Sequence, residues 1–73
     1  MTRAPLPPAQ RLVLDVILAH IRQHERAPSL REIARAVGLS VHGIEKSLKA
    51  LRRDGRITWT PGVSKSIRIV GRR

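Results

Sequence analysis

A metal centre in this chain would draw on three histidines (His20, His24, His42) and five carboxylates (Asp15, Glu25, Glu32, Glu45, Asp54), because there is no cysteine. Without thiols, disulfides and zinc fingers are excluded. His20 and His24 stand four residues apart, which puts both imidazoles on one face of a helix. Two histidines with no third ligand make a weak metal site, and ordinary helix positions account for them. The five carboxylates are scattered along the chain and read as helix surface or caps, and no glycine-rich phosphate loop is present. No enzyme activity, cofactor or metal is expected from this inventory.

The side chains that are abundant do a different chemistry. Lys and Arg number 15 against 5 Asp and Glu, a net charge of +10. Such a domain attracts polyanions. The charge is also uneven: residues 1–30 carry 4 cations and 2 acids, and residues 31–73 carry 11 and 3. A chain of 73 residues holds one modest core and buries only about 60% of its unfolded surface, so a deep substrate pocket is not expected. No apolar run approaches the ~18 residues of a membrane span. The N-terminal stretch lacks the apolar centre of a signal peptide, so a cytoplasmic location is the default expectation.

The remaining residues must form the elements that position those cations. Residues 1–8 hold Pro5, Pro7 and Pro8 and read as an extended arm, with Pro8 also suited to a first helical turn. Residues 9–26 contain neither Pro nor Gly, and Val13, Val16, Ile17, His20 and Ile21 recur at helical spacing. Leu14 and Leu18 flank that stripe, either widening the core arc or offering an exposed contact surface. Ser29 and Glu32 form the pattern of a capping box. A short second helix over 30–37 follows, with Ile33, Ala34 and Val37 inward and Gly38 closing it. Leu39 is expected to plug the turn. Ser40 caps a third helix over 41–54, whose buried stripe is Ile44, Leu48 and Leu51, and Gly55 ends it. From there the period falls to two: Ile57 and Trp59 alternate with Thr58 and Thr60. A loop at residues 61–65 then leads to a second strand over 66–70, with Ile67 and Ile69 on one face. Residues 71–73 read as a basic tail.

Residues 29–54 thus have the pattern of a helix-turn-helix, and the hairpin supplies a wing. The fold class is α+β: three helices and a C-terminal two-stranded hairpin, a winged helix-turn-helix over residues 9–70. The major groove of DNA, about 12 Å wide, admits one helix. On that reading Ser40, Val41, His42 and Gly43 enter it first. Val41 suits a thymine methyl, His42 a purine acceptor, and Gly43 a close approach. Glu45 can accept from a cytosine amino group or pair with Lys49. Lys46 and Lys49 reach bases or phosphates, and Arg52 and Arg53 add general attraction. Ser29, Arg31 and Arg35 on the supporting helix, and Ser64 and Lys65 at the wing tip, suit the phosphate backbone, where contacts set register and carry little sequence information. Trp59, the one aromatic, fits the core better than a base-stacking platform, which argues against single-stranded binding.

The sequence also resembles the DNA-binding domain of the LexA repressor family over residues 12–70. The resemblance rests on Pro28-Ser29-Leu30-Arg31-Glu32-Ile33-Ala34, Val37-Gly38-Leu39, Leu48-Lys49-Ala50-Leu51 and Gly62-Val63-Ser64-Lys65-Ser66-Ile67-Arg68-Ile69. It implies a winged helix whose third helix reads the major groove, and a repressor role. There are departures. That family's repressor has a second domain with a Ser-Lys self-cleaving site and dimer contacts; the chain stops before such a domain, so self-cleavage is not carried over. The turn entering the third helix is one residue shorter than the family's and lacks its Asn and small residues, which points to a different operator. The expected partner is double-stranded DNA, bound by one copy or by a homodimer on two half-sites. The competing reading is a winged-helix protein-interaction module that binds a transcription or replication protein through Leu14 and Leu18.

Overall fold

The computed structural model describes residues 6–63 and 65–70. Three helices, α1 (Pro8–His24), α2 (Leu30–Val37) and α3 (Val41–Arg53), precede an antiparallel hairpin of β1 (Ile57–Thr58) and β2 (Arg68–Ile69). This is an α+β winged helix-turn-helix, as expected. Residues 1–5, Ser64 and residues 71–73, which include most of the expected arm and the whole basic tail, lie outside the described residues.

Helix α1 opens on Pro8 in its first turn, where a missing N–H is no loss. It stops earlier than residue 26. Glu25 turns left-handed at φ 58° and donates its N–H to the Ile21 carbonyl at 2.7 Å. The chain needs this reversal because Pro28 is fully buried and holds the residue before it away from helical geometry. Val13 and Ile17 are fully buried. Val16, His20 and Ile21 are half-buried, and Val16 and Ile21 pack against the core as the edge of the same stripe. Leu14 is packed against the core, and Leu18 is half-buried.

The core joins Val13 and Ile17 to Ile33 and Ala34 of α2, to Ile44, Leu48 and Leu51 of α3, and to Ile57, Trp59 and Ile67 of the hairpin. Helix α3 packs on α1, α2 and β1, so it sits at the centre of the domain while one face stays outside.

Helix α2 has a complete capping box. The Ser29 hydroxyl accepts from the Glu32 N–H at 3.1 Å, and the Ser29 N–H donates to the Glu32 carboxylate at 2.8 Å. That backbone N–H is the main cause holding the Glu32 carboxyl below its usual value of 4.5; the Ser29 hydroxyl, His20 and Arg26 act in the same direction, against the effect of desolvation. A carboxyl with a lowered folded pKa stabilises the fold above its unfolded pKa and loses that contribution as pH falls through the folded one. Glu32→Gln is therefore expected to melt below the wild type at pH 7, with the gap closing as pH drops beneath about 4.5. Thermal melts followed by circular dichroism from pH 7 to pH 3 measure it; a gap independent of pH would show that the carboxylate charge is irrelevant.

The turn after α2 differs from expectation in one residue. Gly38 (φ 85°) and Leu39 both donate their N–H to the Ala34 carbonyl, at 2.8 and 3.2 Å. The backbone alone closes the turn, so Leu39 is not needed as a plug and is 42% exposed. The strands are also shorter than expected. The Ser66 hydroxyl bridges the N–H and the carbonyl of Thr60, both at 3.1 Å, taking the place of the next backbone pair. Ile67 is buried, but Ile69 is 36% exposed. Helix α3 packs on β1, and β2 lies one strand further out, beyond the cover that buries Ile57 and Trp59.

Candidate nucleic-acid interface

Helix α3 begins where its sequence stops the preceding turn: the Ser40 hydroxyl accepts from the Gly43 N–H at 3.1 Å, satisfying one of the free amides at the helix start. Its buried residues are Ile44, Ser47, Leu48 and Leu51. The opposite face carries Val41, His42, Lys46, Lys49 and Arg53, all exposed, with Gly43 and Glu45 half-buried at its margin. The hairpin does not cover this face. Lys46, Lys49, Arg52 and Arg53 line one shallow concavity around Ala50. The structure therefore brings together the cations of α3 that the spacing predicted.

Gly43 has helical backbone, and a Cβ there would meet Ser40 Oγ at 3.5 Å and Leu39 Cβ at 3.7 Å, ordinary contact distances. Gly43→Ala should thus fold and gain roughly 0.5–1 kcal/mol of stability from helix propensity. If the bare backbone is what lets the helix approach bases, the same variant binds duplex DNA more weakly. Urea unfolding and fluorescence anisotropy on one preparation check both; tighter or unchanged binding would remove Gly43 from the reading surface.

Glu45 does not pair with Lys49. The ion pair found among the described residues is Arg56 with Asp54, at 3.5 Å. Glu45 instead lines a groove of about 330 Å³ between the starts of α2 and α3 and the hairpin, with Arg31, Val41, Trp59 and Val63 among its neighbours. The groove depends on how the hairpin folds back, and nothing in the local pattern announces it.

Arg52 also has a task that its spacing did not show. Its guanidinium donates to the Trp59 carbonyl at 2.9 Å and lies 5.4 Å from the centre of the indole ring, within the range of a cation–π contact. It ties the end of α3 to the hairpin. On the supporting helix, Ser29 is engaged in the capping box, while Arg31 and Arg35 are exposed. At the wing, Lys65 is exposed with a left-handed backbone at φ 59°, and the expected site at Ser64 lies outside the described residues.

The His20 and His24 rings touch in a tilted arrangement, with centroids 4.4 Å apart and planes inclined at 43°. Among the described residues, no group of three or more His, Asp or Glu side chains converges as a metal site would require. Among the described residues, no helix is long and apolar enough to cross a membrane.

Comparison with known proteins bears on the same elements. Residues 3–66 match the family model described as the LexA DNA binding domain. The chain is 41% identical over 69 residues to the LexA repressor of Methylococcus capsulatus, covering 93% of this chain and 34% of that protein. It is 43% identical over 67 residues to the LexA repressor of Geotalea uraniireducens, covering 90% and 33%. It is 36% identical over 67 residues to the transcription regulator LexA of Synechocystis, again covering 90% and 33%. The chain spans about a third of the length of these relatives.

Proposed function

Because the chain belongs to the LexA DNA-binding domain family, we propose that it binds duplex DNA in a sequence-specific manner as a transcriptional repressor, without catalysis, and acts in the cytoplasm on the nucleoid. The observation that carries this reading is the solvent face of α3, where His42, Lys46, Lys49 and Arg53 are exposed while the other face is locked into the core. In the proposed complex the first turns of α3 enter the major groove. Ser40, Val41, His42 and Gly43 lie nearest the base edges, and Lys46 and Lys49 follow along the groove, where they reach the flanking phosphates. Glu45, free of Lys49, accepts from a cytosine amino group at the groove margin. Arg31, Arg35, Arg53 and Lys65 hold phosphates, with Ser64 beside Lys65. Ser29 and Arg52 serve chiefly as positioning residues, the first holding the start of α2 and the second holding the hairpin against α3.

A module of this size covers few base pairs, so two copies on half-sites one helical turn apart suit a tight complex. The protein-interaction reading through Leu14 and Leu18 gains no support, since both are half-buried and Leu14 packs on the core.

The test is a salt titration of duplexes selected from a random pool, read by fluorescence anisotropy. Neutralising ~5 phosphates gives a slope of log affinity against log salt near −4.5. A flat slope, or no duplex enriched, would refute the proposal.

A further inference from the structure

The two edges of the hairpin are treated differently. In the register Ile57↔Ile69 and Thr58↔Arg68, the Val70 N–H donates to the Arg56 carbonyl at 3.1 Å. Antiparallel ladders alternate bonded and unbonded pairs. Ile57 and Ile69 are thus an unbonded pair, as are Trp59 and Ile67, and the backbone groups of these four residues point to the outer edges. On the β1 edge the outward carbonyl of Trp59 is taken by the Arg52 guanidinium. On the β2 edge, no backbone bond among the described residues reaches Ile67 or Ile69 from the connection at residues 25–29.

That open edge borders a groove of about 460 Å³. Its apolar residues are Ile21, Ala27, Ile67 and Ile69, its charged ones are Arg26, Lys65 and Arg68, and no acid lines it. Val70, next along the strand, is 41% exposed. We propose that this groove is a docking site for an extended acidic peptide segment of a partner protein, which adds as a strand along β2.

The chemistry selects that occupant. Unpaired strand backbone is matched by another strand, and a phosphodiester chain has no N–H to offer it. The apolar residues take alternate side chains of a strand, because these point to opposite faces. Three cations with no acid among them favour carboxylates. A second copy of this chain, itself at +10, would bring Arg26, Lys65 and Arg68 against their own kind. The groove shares Lys65 with the proposed phosphate contacts, but Arg26, Ala27, Ile67 and Ile69 lie on neither α3 nor α2.

The experiment titrates the intact chain with a synthetic hexapeptide alternating Glu and Val, followed by amide chemical shifts in nuclear magnetic resonance. The expected result is saturable shifts centred on Ala27, Ile67 and Ile69. N-methylating the peptide backbone on its pairing edge, or introducing Arg26→Glu, should each weaken binding by about tenfold, the loss expected for one or two net hydrogen bonds or one charge contact. Ile69→Pro, which removes an outward N–H and leaves the β1 ladder intact, should do the same. If it fails to fold, the N-methylated peptide on the unaltered chain decides. Equal binding of the N-methylated peptide overturns the proposal, as do shifts that map to α3. So does a short DNA duplex that moves Ala27, Ile67 and Ile69, rather than Lys65 alone, which would make the site a phosphate site. Self-association abolished by Arg26→Glu or Ile69→Pro would assign the groove to a second copy instead.

Discussion

Leu48→Ala is expected to remove about 2–5 kcal/mol of folding stability, the usual range for emptying a fully buried leucine site. A domain of 73 residues holds roughly 4–11 kcal/mol in all, so this one change takes a large share. Leu48 is fully buried on α3 between Ile44 and Leu51, and α3 packs on α1, α2 and β1. No neighbouring element can close the cavity without shifting another. Urea unfolding followed by circular dichroism gives the value. A loss below about 1 kcal/mol would mean that α3 is not seated in the core as described, and its outer face would then lack a rigid support.

The second large effect concerns binding. Lys46→Ala combined with Lys49→Ala should leave stability nearly unchanged, because both side chains are exposed and surface substitutions usually stay within about 0.5 kcal/mol. Duplex binding should fall on every sequence tested. The salt slope should become shallower by about 1.8, or 0.9 for each phosphate contact given up. His42→Ala in the same assay should instead alter which duplex is preferred, as a base contact does. A double variant with the parental salt slope would place both lysines away from the phosphates and would force a new docking geometry.

The parts of the fold that could be read from the sequence are those governed by neighbours along the chain. Ser29 and Glu32, Gly38, and Ser40 ahead of Gly43 each act within three or four residues, and each forms the predicted cap or turn. The stripe of Ile44, Leu48 and Leu51 needed only helical spacing. Trp59 was placed in the core by its alternation with Ile57. Apart from Leu39, whose cause is local, the differences from expectation depend on elements distant in sequence. Leu39 stays outside because two backbone bonds to Ala34 already close the turn. Ile69 obeys the alternation, but β2 lies beyond the cover that α3 gives β1. Glu45 and Arg52 have helix-surface spacing, and only the folded-back hairpin draws one into a groove and the other onto an indole. For the candidate site, the exposed cations of α3 were legible from periodicity. Their individual partners on DNA are set by docking, which no local pattern encodes.

The clasp between Arg52 and the indole gives the molecule a built-in optical gauge. Trp59 is the single tryptophan and is only 6% exposed, so its emission reports one place alone: the seam where the hairpin meets α3. Loosening of the wing would redden that emission while the helical ellipticity stayed constant. Wing release and global unfolding can therefore be told apart by light, without attaching a dye.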